Sequence, residues 1–230
     1  MELLFDPKEI RRAIGILKPD NELFEIRILR GYKVFSGYFR DAETLINALR
    51  GMEPQILEHG NIYITLQEIH PGCEARTQWQ QFLDTRAEKF SATSDNDIVR
   101  YRFLPVDVDP VRPAEISSTE EELADAAATA GEVLAYMVEK GWNDYITACS
   151  GNGYHLLFPC DIPVSDRAII ETQLTALSDL FSNDRAKIDT TLSNPSRILK
   201  LYGTFARKGR STEQRPHRLS RILKVHYENT

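Results

Sequence analysis

The chain has 230 residues, 42% of them hydrophobic and 27% charged, with 12 Gly and 11 Pro, which suits one good core or two small ones sharing a cleft and excludes a disordered, collagen-like or fibrous protein. No run nears the ~18 apolar residues of a membrane span, no secretory leader is legible, and Cys73, Cys149 and Cys160 form no C-x-x-C motif, so a cytoplasmic, reducing setting with free thiols and no membrane partner is expected. The net charge of −6 argues against a generic basic nucleic-acid coat, yet residues 185–230 carry +8 and the remainder −14, so a polyanion-binding face is expected in the last fifth, against the alternative of a solvated charged tail.

In chain order, residues 1–15 read as a short amphipathic helix starting at Asp6-Pro7. Residues 25–39 alternate and are rich in β-formers, which predicts two strands turning near Gly31. Residues 41–50 predict a helix ended by Gly51, residues 61–67 a strand, residues 78–92 a helix, and the SATSDND that follows a loop. The second half predicts a strand over 99–108, then a loop over 110–118 marked by Pro110, Pro113 and Ser117-Ser118. A long helix follows over 119–140, with acids in its first turn and Gly141 after its end. Then come a strand over 145–149, a turn at 150–153, a return strand over 154–158, a helix over 165–181 and a last strand over 197–205. The order from 99 to 205 is β-α-β-β-α-β, the split-βαβ, RRM-like pattern, in which the first and third strands are adjacent and the fourth flanks the first. The expected organisation is an α/β (α+β) chain with an N-terminal α/β unit over 1–98, an RRM-like unit over 99–210, and a basic segment over 211–230 that ends the chain or links to a further domain.

Three places carry chemistry. Asp107 and Asp109 lie two apart on a strand and so share a face, where two carboxylates repel unless a hard divalent cation neutralises them. The bland alternative is a solvated strand end or an Asp-Pro turn. Ser150-Gly-Asn-Gly153 allows close backbone approach of a ligand, and His155 follows it on the strand next to the aspartates. Taken alone, that turn reads as a plain hairpin with a partly buried histidine. Asp189 precedes the last strand and offers a third carboxylate. Arg197 and Lys200 are three apart, so on a regular strand they point to opposite faces and at least one faces the site unless a bulge redirects the other, with Arg207 and Lys208 further on. Each element is weak alone. Together they describe a two-metal phosphoryl-transfer site that would activate an attacking hydroxyl and neutralise leaving pyrophosphate.

The set V-D-V-D-P (106–110), S-G-N-G-Y-H-L (150–156), K-I-D (187–189) and N-P-S-R-I-L-K-L-Y-G-T (194–204) resembles the archaeo-eukaryotic primase superfamily, in particular the primase-polymerase type of mobile elements, phages and CRISPR-associated systems. The resemblance spans about residues 102–210; in residues 1–98 only G-Y-F-R-D (37–41) adds to it. It implies a DNA primase-polymerase acting on a single-stranded DNA template and a primer strand with NTPs or dNTPs, in a prokaryotic, phage or plasmid-encoded setting, with a helicase or accessory domain outside this chain. By the same resemblance Asp107, Asp109 and Asp189 would hold two Mg²⁺ or Mn²⁺ ions. Ser150, His155, Arg197, Lys200 and Lys208 would hold the nucleotide's triphosphate, with the active site between the two units.

Competing classes fit less well. A non-catalytic RRM-like module would carry stacking aromatics where this chain has Asp107, Asp109 and His155. A D-x-D sugar-nucleotide transferase leaves Asp189 and the R-I-L-K-L run unexplained. A rolling-circle nuclease would want an H-x-H pair, which His59, His70, His155, His217 and His226 do not supply. His70-x-x-Cys73 falls short of a four-ligand zinc site. Trp79, Trp142 and the helical stripe Leu123, Ala127, Ala130 and Leu134 read as core. Arg207, Arg210, Arg215, Arg218 and Arg221 are the expected template contacts, with Arg27, Arg30, Lys33 and Arg40 as the alternative.

Overall fold

The structure, a computed structural model, describes residues 4–77 and 80–227. Asp6 caps α1 (Pro7–Leu17), its carboxylate accepting from the Lys8 and Glu9 amides. β1 (Phe24–Arg30) and β2 (Lys33–Phe39) form the expected hairpin, with Gly31 at φ +56° in the turn. Asp41 caps α2 (Ala42–Gly51); α3 (Pro54–His59) follows. Next come β3 (Asn61–Thr65), β4 (Glu68–Ile69), β5 (Leu83–Asp84) and β6 (Ile98–Pro110). α4 (Glu120–Glu139) starts with a capping box in which Thr119 Oγ1 accepts from the Glu122 amide and the Glu122 carboxylate accepts from the Thr119 amide. β7 (Tyr145–Cys149), β8 (Tyr154–Pro163), α5 (Arg167–Phe181) and β9 (Ala186–Ile188) complete the second half. β10 (Ile198–Lys200), β11 (Phe205–Ala206), β12 (Arg218–Leu219) and β13 (Arg221–His226) end the described chain.

The strands make two large antiparallel sheets. The first has the order β10-β3-β1-β2-β5. Its buried Ile26, Ile28, Ile62, Ile64 and Leu199 belong to the same core as the apolar residues of α1, α2 and α3. In the second sheet β6 pairs with β8 along one side, while its other side takes β4 at the start and β9 at the end; β7 and then β13 lie outside β8. β6, β7, β8 and β9 with α4 and α5 reproduce the split-βαβ order. Its helix-covered face buries Val106, Val108 and Leu156. One continuous core joins both sheets. Among the described residues no helix is long and apolar enough to cross a membrane.

Several expectations are corrected. The helix expected over 78–92 is absent among its described residues. Phe82 packs against Phe39, β5 pairs with β2, and the Asp84 carboxylate accepts the Arg86 and Ala87 amides, a local turn that competes with helix. Gln78 and Trp79, which began that stretch, lie outside the described residues. The strand that flanks β6 is the short β9, not residues 197–205; β10 instead closes the first sheet against β3. Leu199, Leu201 and Tyr202 are buried in the joint core, and that burial draws this segment to the first sheet. Neither sheet keeps to one side of residue 98, since β4 joins the second sheet and β10 the first. Residues 221–226 are an edge strand, with both backbone groups of Ile222 taken by Glu9 and Arg12 of α1. On α4 the buried stripe is Leu123, Ala126, Ala130, Val133 and Met137, so Ala127 and Leu134 sit at its margin.

Candidate active site

The alternation of β6 buries Val106 and Val108 under the helices and turns Asp107 and Asp109 to the other face. Register then sets their neighbours. Asp107 lies opposite His155 on β8, and the Asp189 amide bonds to the Asp107 carbonyl at the end of β9. Gly153 lets the 150–153 turn press against β6, since a Cβ there would meet the Val108 carbonyl oxygen at 2.5 Å and Asp109 Oδ1 at 2.8 Å. Gly151, at φ +97°, is equally fixed, with Ala206 and the Arg218 carbonyl against it.

All eight residues singled out from the sequence line one cleft of about 210 Å³ between the two sheets: Asp107, Asp109, Ser150, His155, Asp189, Arg197, Lys200 and Lys208. Arg197 precedes β10, so strand alternation does not apply to it and it shares the cleft with Lys200. A larger groove of about 730 Å³, lined by Phe5, Leu49, Met52, Leu57 and Phe205, lies beyond β11. It is mainly apolar and gathers no set of carboxylates, so the chemistry belongs to the smaller cleft.

The cleft's electrostatics are unbalanced. Burial, then the Asp109 and Asp189 carboxylates, push Asp107 well above the usual carboxylate range. Its Oδ1 is buried without a hydrogen-bond partner, and His155 Nε2 comes no nearer than 3.5 Å. Asp109 has only a long contact, 3.4 Å, to the Arg112 guanidinium, and Asp189 one of 3.7 Å to Arg197. The Asp189 Oδ1 also accepts from the amide and hydroxyl of Thr191, which fixes the side chain.

His155 is 2% exposed, and burial drags it down to about 3, so it is neutral at ordinary pH. Its Nδ1 bonds to the Tyr202 hydroxyl at 2.9 Å. With that hydroxyl donating, the ring proton sits on Nε2 and faces the carboxylate side of the cleft. Ser150 Oγ accepts from the Gly153 amide at 3.0 Å, which leaves its own proton to offer. Lys200 is 5% exposed, donates to the Phe205 carbonyl at 2.7 Å and stacks over Tyr63; burial, Arg207 and Lys208 hold it well below the usual lysine range.

Four residues that sequence reasoning did not place here complete the site. Asn152 is 4% exposed; its Oδ1 accepts from the Ser118 amide, while its Nδ2 is buried and unpartnered. Asn61 and Tyr63 enter from β3, and Tyr202 backs His155. Asn152 stood within the Ser-Gly-Asn-Gly turn, but nothing in the sequence distinguished it from a turn-forming asparagine. The donor set fits divalent cations of the hard, oxygen-seeking kind. Asp107 Oδ1 is an orphaned acceptor, although among the described residues no three His, Cys, Asp or Glu side chains are assembled to hold one ion by themselves. Mg²⁺ characteristically binds through one or two carboxylates together with substrate phosphates and water.

Two antiparallel sheets meeting at such a cleft, the second of split-βαβ order, make a primase-like α/β fold. The solved structure of primase RepB′ has a similar fold, with a TM-score of 0.50 and 14% sequence identity over 95% of this chain and 56% of that one. This chain therefore spans little more than half of that protein's length. No family model and no curated protein matches the sequence.

Proposed function

We propose that this chain is the catalytic core of a template-directed nucleotidyltransferase, a DNA primase-polymerase of the archaeo-eukaryotic superfamily. The observation that carries it is the opposition, within one small cleft, of three poorly neutralised carboxylates and a bank of donors suited to a triphosphate. Asp107, Asp109 and Asp189 would hold the divalent cations, Mg²⁺ or Mn²⁺, whose charge would stabilise the attacking hydroxyl and the leaving pyrophosphate. The chain's own part is positioning and charge placement. Asn152 Nδ2, the Ser150 hydroxyl and the His155 Nε2–H donate to phosphate oxygens. Arg197 offers a forked guanidinium and Lys208 an ammonium charge, while an adjacent phosphate would favour the charged form of Lys200 that burial disfavours. Tyr202 holds the His155 ring so that its N–H is aimed before substrate arrives. Catalysis by prepaid orientation suits side chains as buried as His155, Tyr202 and Asn152.

The test incubates the protein with single-stranded DNA template and labelled NTPs or dNTPs, with Mg²⁺ or Mn²⁺, with and without a primer. Metal-dependent, template-directed incorporation that Asp107→Ala abolishes is the expected result. No incorporation under any combination, with no triphosphate binding by calorimetry, overturns it.

A further inference from the structure

We propose that the uncovered face of the first sheet, from Tyr63 in the cleft across β1 and β2 to the hairpin tip at Tyr32, is a platform on which a single-stranded DNA template lies outside the cleft. The proposal rests on the nucleotidyltransferase reading and adds the place where the template is held.

Register defines the platform. Lys200 lies opposite Tyr63, Tyr63 opposite Arg27, Arg27 opposite Ser36, and Ser36 opposite Leu83, so one row of side chains crosses five strands on one face; Lys200 and Ser36 are buried within it and Arg27 is paired to Glu25, so this row bounds the platform. A second row, Asn61, Leu29 and Val34, runs beside it toward the hairpin tip. The alternate residues, Ile26, Ile28, Ile62 and Ile64, point the other way into the core. On the far side of the first row, Thr93 covers the face by bonding to both Glu25 and Tyr38. Toward the tip nothing comparable covers it. Leu29, Val34, Tyr63 and Leu83 are half-buried and none belongs to a core cluster. Asn61 and Tyr63 also line the cleft, so platform and cleft are continuous.

The tip supplies the matching charge. Arg30 and Lys33 stand directly opposite each other in the β1–β2 register. Like charges facing each other across a hairpin destabilise it, and among the described residues neither has a carboxylate partner. Tyr32, between them, is 73% exposed, the most exposed large hydrophobic residue described. The Arg86 guanidinium lies 5.7 Å from the centre of its ring. An exposed aromatic ringed by unneutralised cations, at the end of a half-apolar floor, suits bases that stack and phosphates that need counter-charge. From Arg27 to Arg30 the floor extends about 10 Å at roughly 3.3 Å per residue, so a strand leaving the cleft reaches the tip quickly.

The experiment measures binding of a fluorescein-labelled single-stranded oligonucleotide by anisotropy over a salt series, for the parent, Tyr32→Ala, Lys33→Glu and Leu29→Glu. Triphosphate affinity with Mn²⁺ and template-directed incorporation are measured beside it. Tyr32→Ala is expected to weaken single-strand binding about fivefold or more, and Lys33→Glu to flatten the salt slope by about 0.7 or more, both with parental triphosphate affinity. Tyr32 is exposed enough that its variant decides the matter should Leu29→Glu fail to fold. The platform is overturned if Tyr32→Ala and Lys33→Glu bind the oligonucleotide as the parent does. It is equally overturned if sedimentation shows a parental dimer that Leu29→Glu dissolves, since a second copy then covers this face. If binding depends on the platform but no variant, parent included, incorporates nucleotide, the platform stands and the enzymatic reading falls.

Discussion

The carboxylate ends of β6 and β9 and the arginine-rich segment after residue 206 carry opposite charge, and the fold treats them in opposite ways. The arginines are largely satisfied within the chain. Arg215 makes a two-pronged pair with Glu122, each contact 2.8 Å, and donates to the Ser117 carbonyl; Arg218 pairs with Glu120 and donates to the Ser118 carbonyl. Both acids belong to the first turn of α4, so the basic segment is a strap over that helix start. Arg215 and Arg218, expected as template contacts, thus have their charge paired within the chain. The aspartates are the reverse, gathered where the fold offers them little counter-charge, with a buried oxygen left without a partner. A charge satisfied within the chain argues for structure. A charge held buried and unsatisfied argues for a ligand, because desolvation without compensation costs several kcal/mol.

The largest expected effect breaks the carboxylate side. Asp107→Ala, Asp109→Ala and Asp189→Ala should each abolish nucleotide incorporation while leaving the circular-dichroism spectrum intact. Asp107→Asn should raise the melting temperature of the metal-free protein above the parent's, because it removes a repelled, desolvated charge. A parental rate in any alanine variant would sink the three-carboxylate site.

Next come the donors. His155→Ala, Arg197→Ala and Asn152→Ala should weaken triphosphate binding by about ten- to a hundredfold, the ~1.5–3 kcal/mol of a hydrogen bond to a charged group, with nucleoside binding unchanged. Calorimetric titration checks this. Equal losses for nucleoside and triphosphate would mean that these residues support the wall and do not touch phosphate.

The strap should behave as structure. Arg215→Ala and Arg218→Ala should each lower the melting temperature slightly, as expected for exposed ion pairs, and leave the salt slope of DNA binding unchanged. A flattened slope with parental stability would return these arginines to the template.

The smallest effect is a control on charge satisfied within the chain. Arg76 beside Asp97, with help from the Ser94 amide and hydroxyl, holds the Asp97 carboxyl well below its usual range. A depressed carboxyl stabilises the fold above its unfolded value, near pH 3.9, and loses that contribution as pH falls through the lower folded value. Asp97→Asn should therefore lower stability by about 1 kcal/mol at pH 7 and progressively less below pH 4. A pH-independent loss would show that the pair's charge contributes nothing.

Much of this was legible locally. The helices expected from Asp6-Pro7, from residue 41 and from residue 119, the Gly31 hairpin, the Asp107–Asp109 alternation and the turn before His155 follow from short-range rules on helix ends, periodicity and glycine geometry. The failures were non-local. Residues 80–92 have helix-compatible composition, but Phe82 and the edge of β2 claim them. The three-residue β9 is too short to show periodicity, and the longer apolar run at 197–205 reads as the fourth strand in its place.

The sequence by itself determined the shared face of Asp107 and Asp109 and the placing of His155 beside them, because strand alternation and turn geometry act over a few residues. Only the tertiary structure decided which sheet receives β10, that Tyr202 stands behind His155, that Asn152, in the cleft wall, keeps a buried amide nitrogen without a partner, and that Arg215 and Arg218 close on α4. Those outcomes depend on burial and pairing between segments tens of residues apart, where the free energy comes from what each side chain meets and not from what precedes it in the chain.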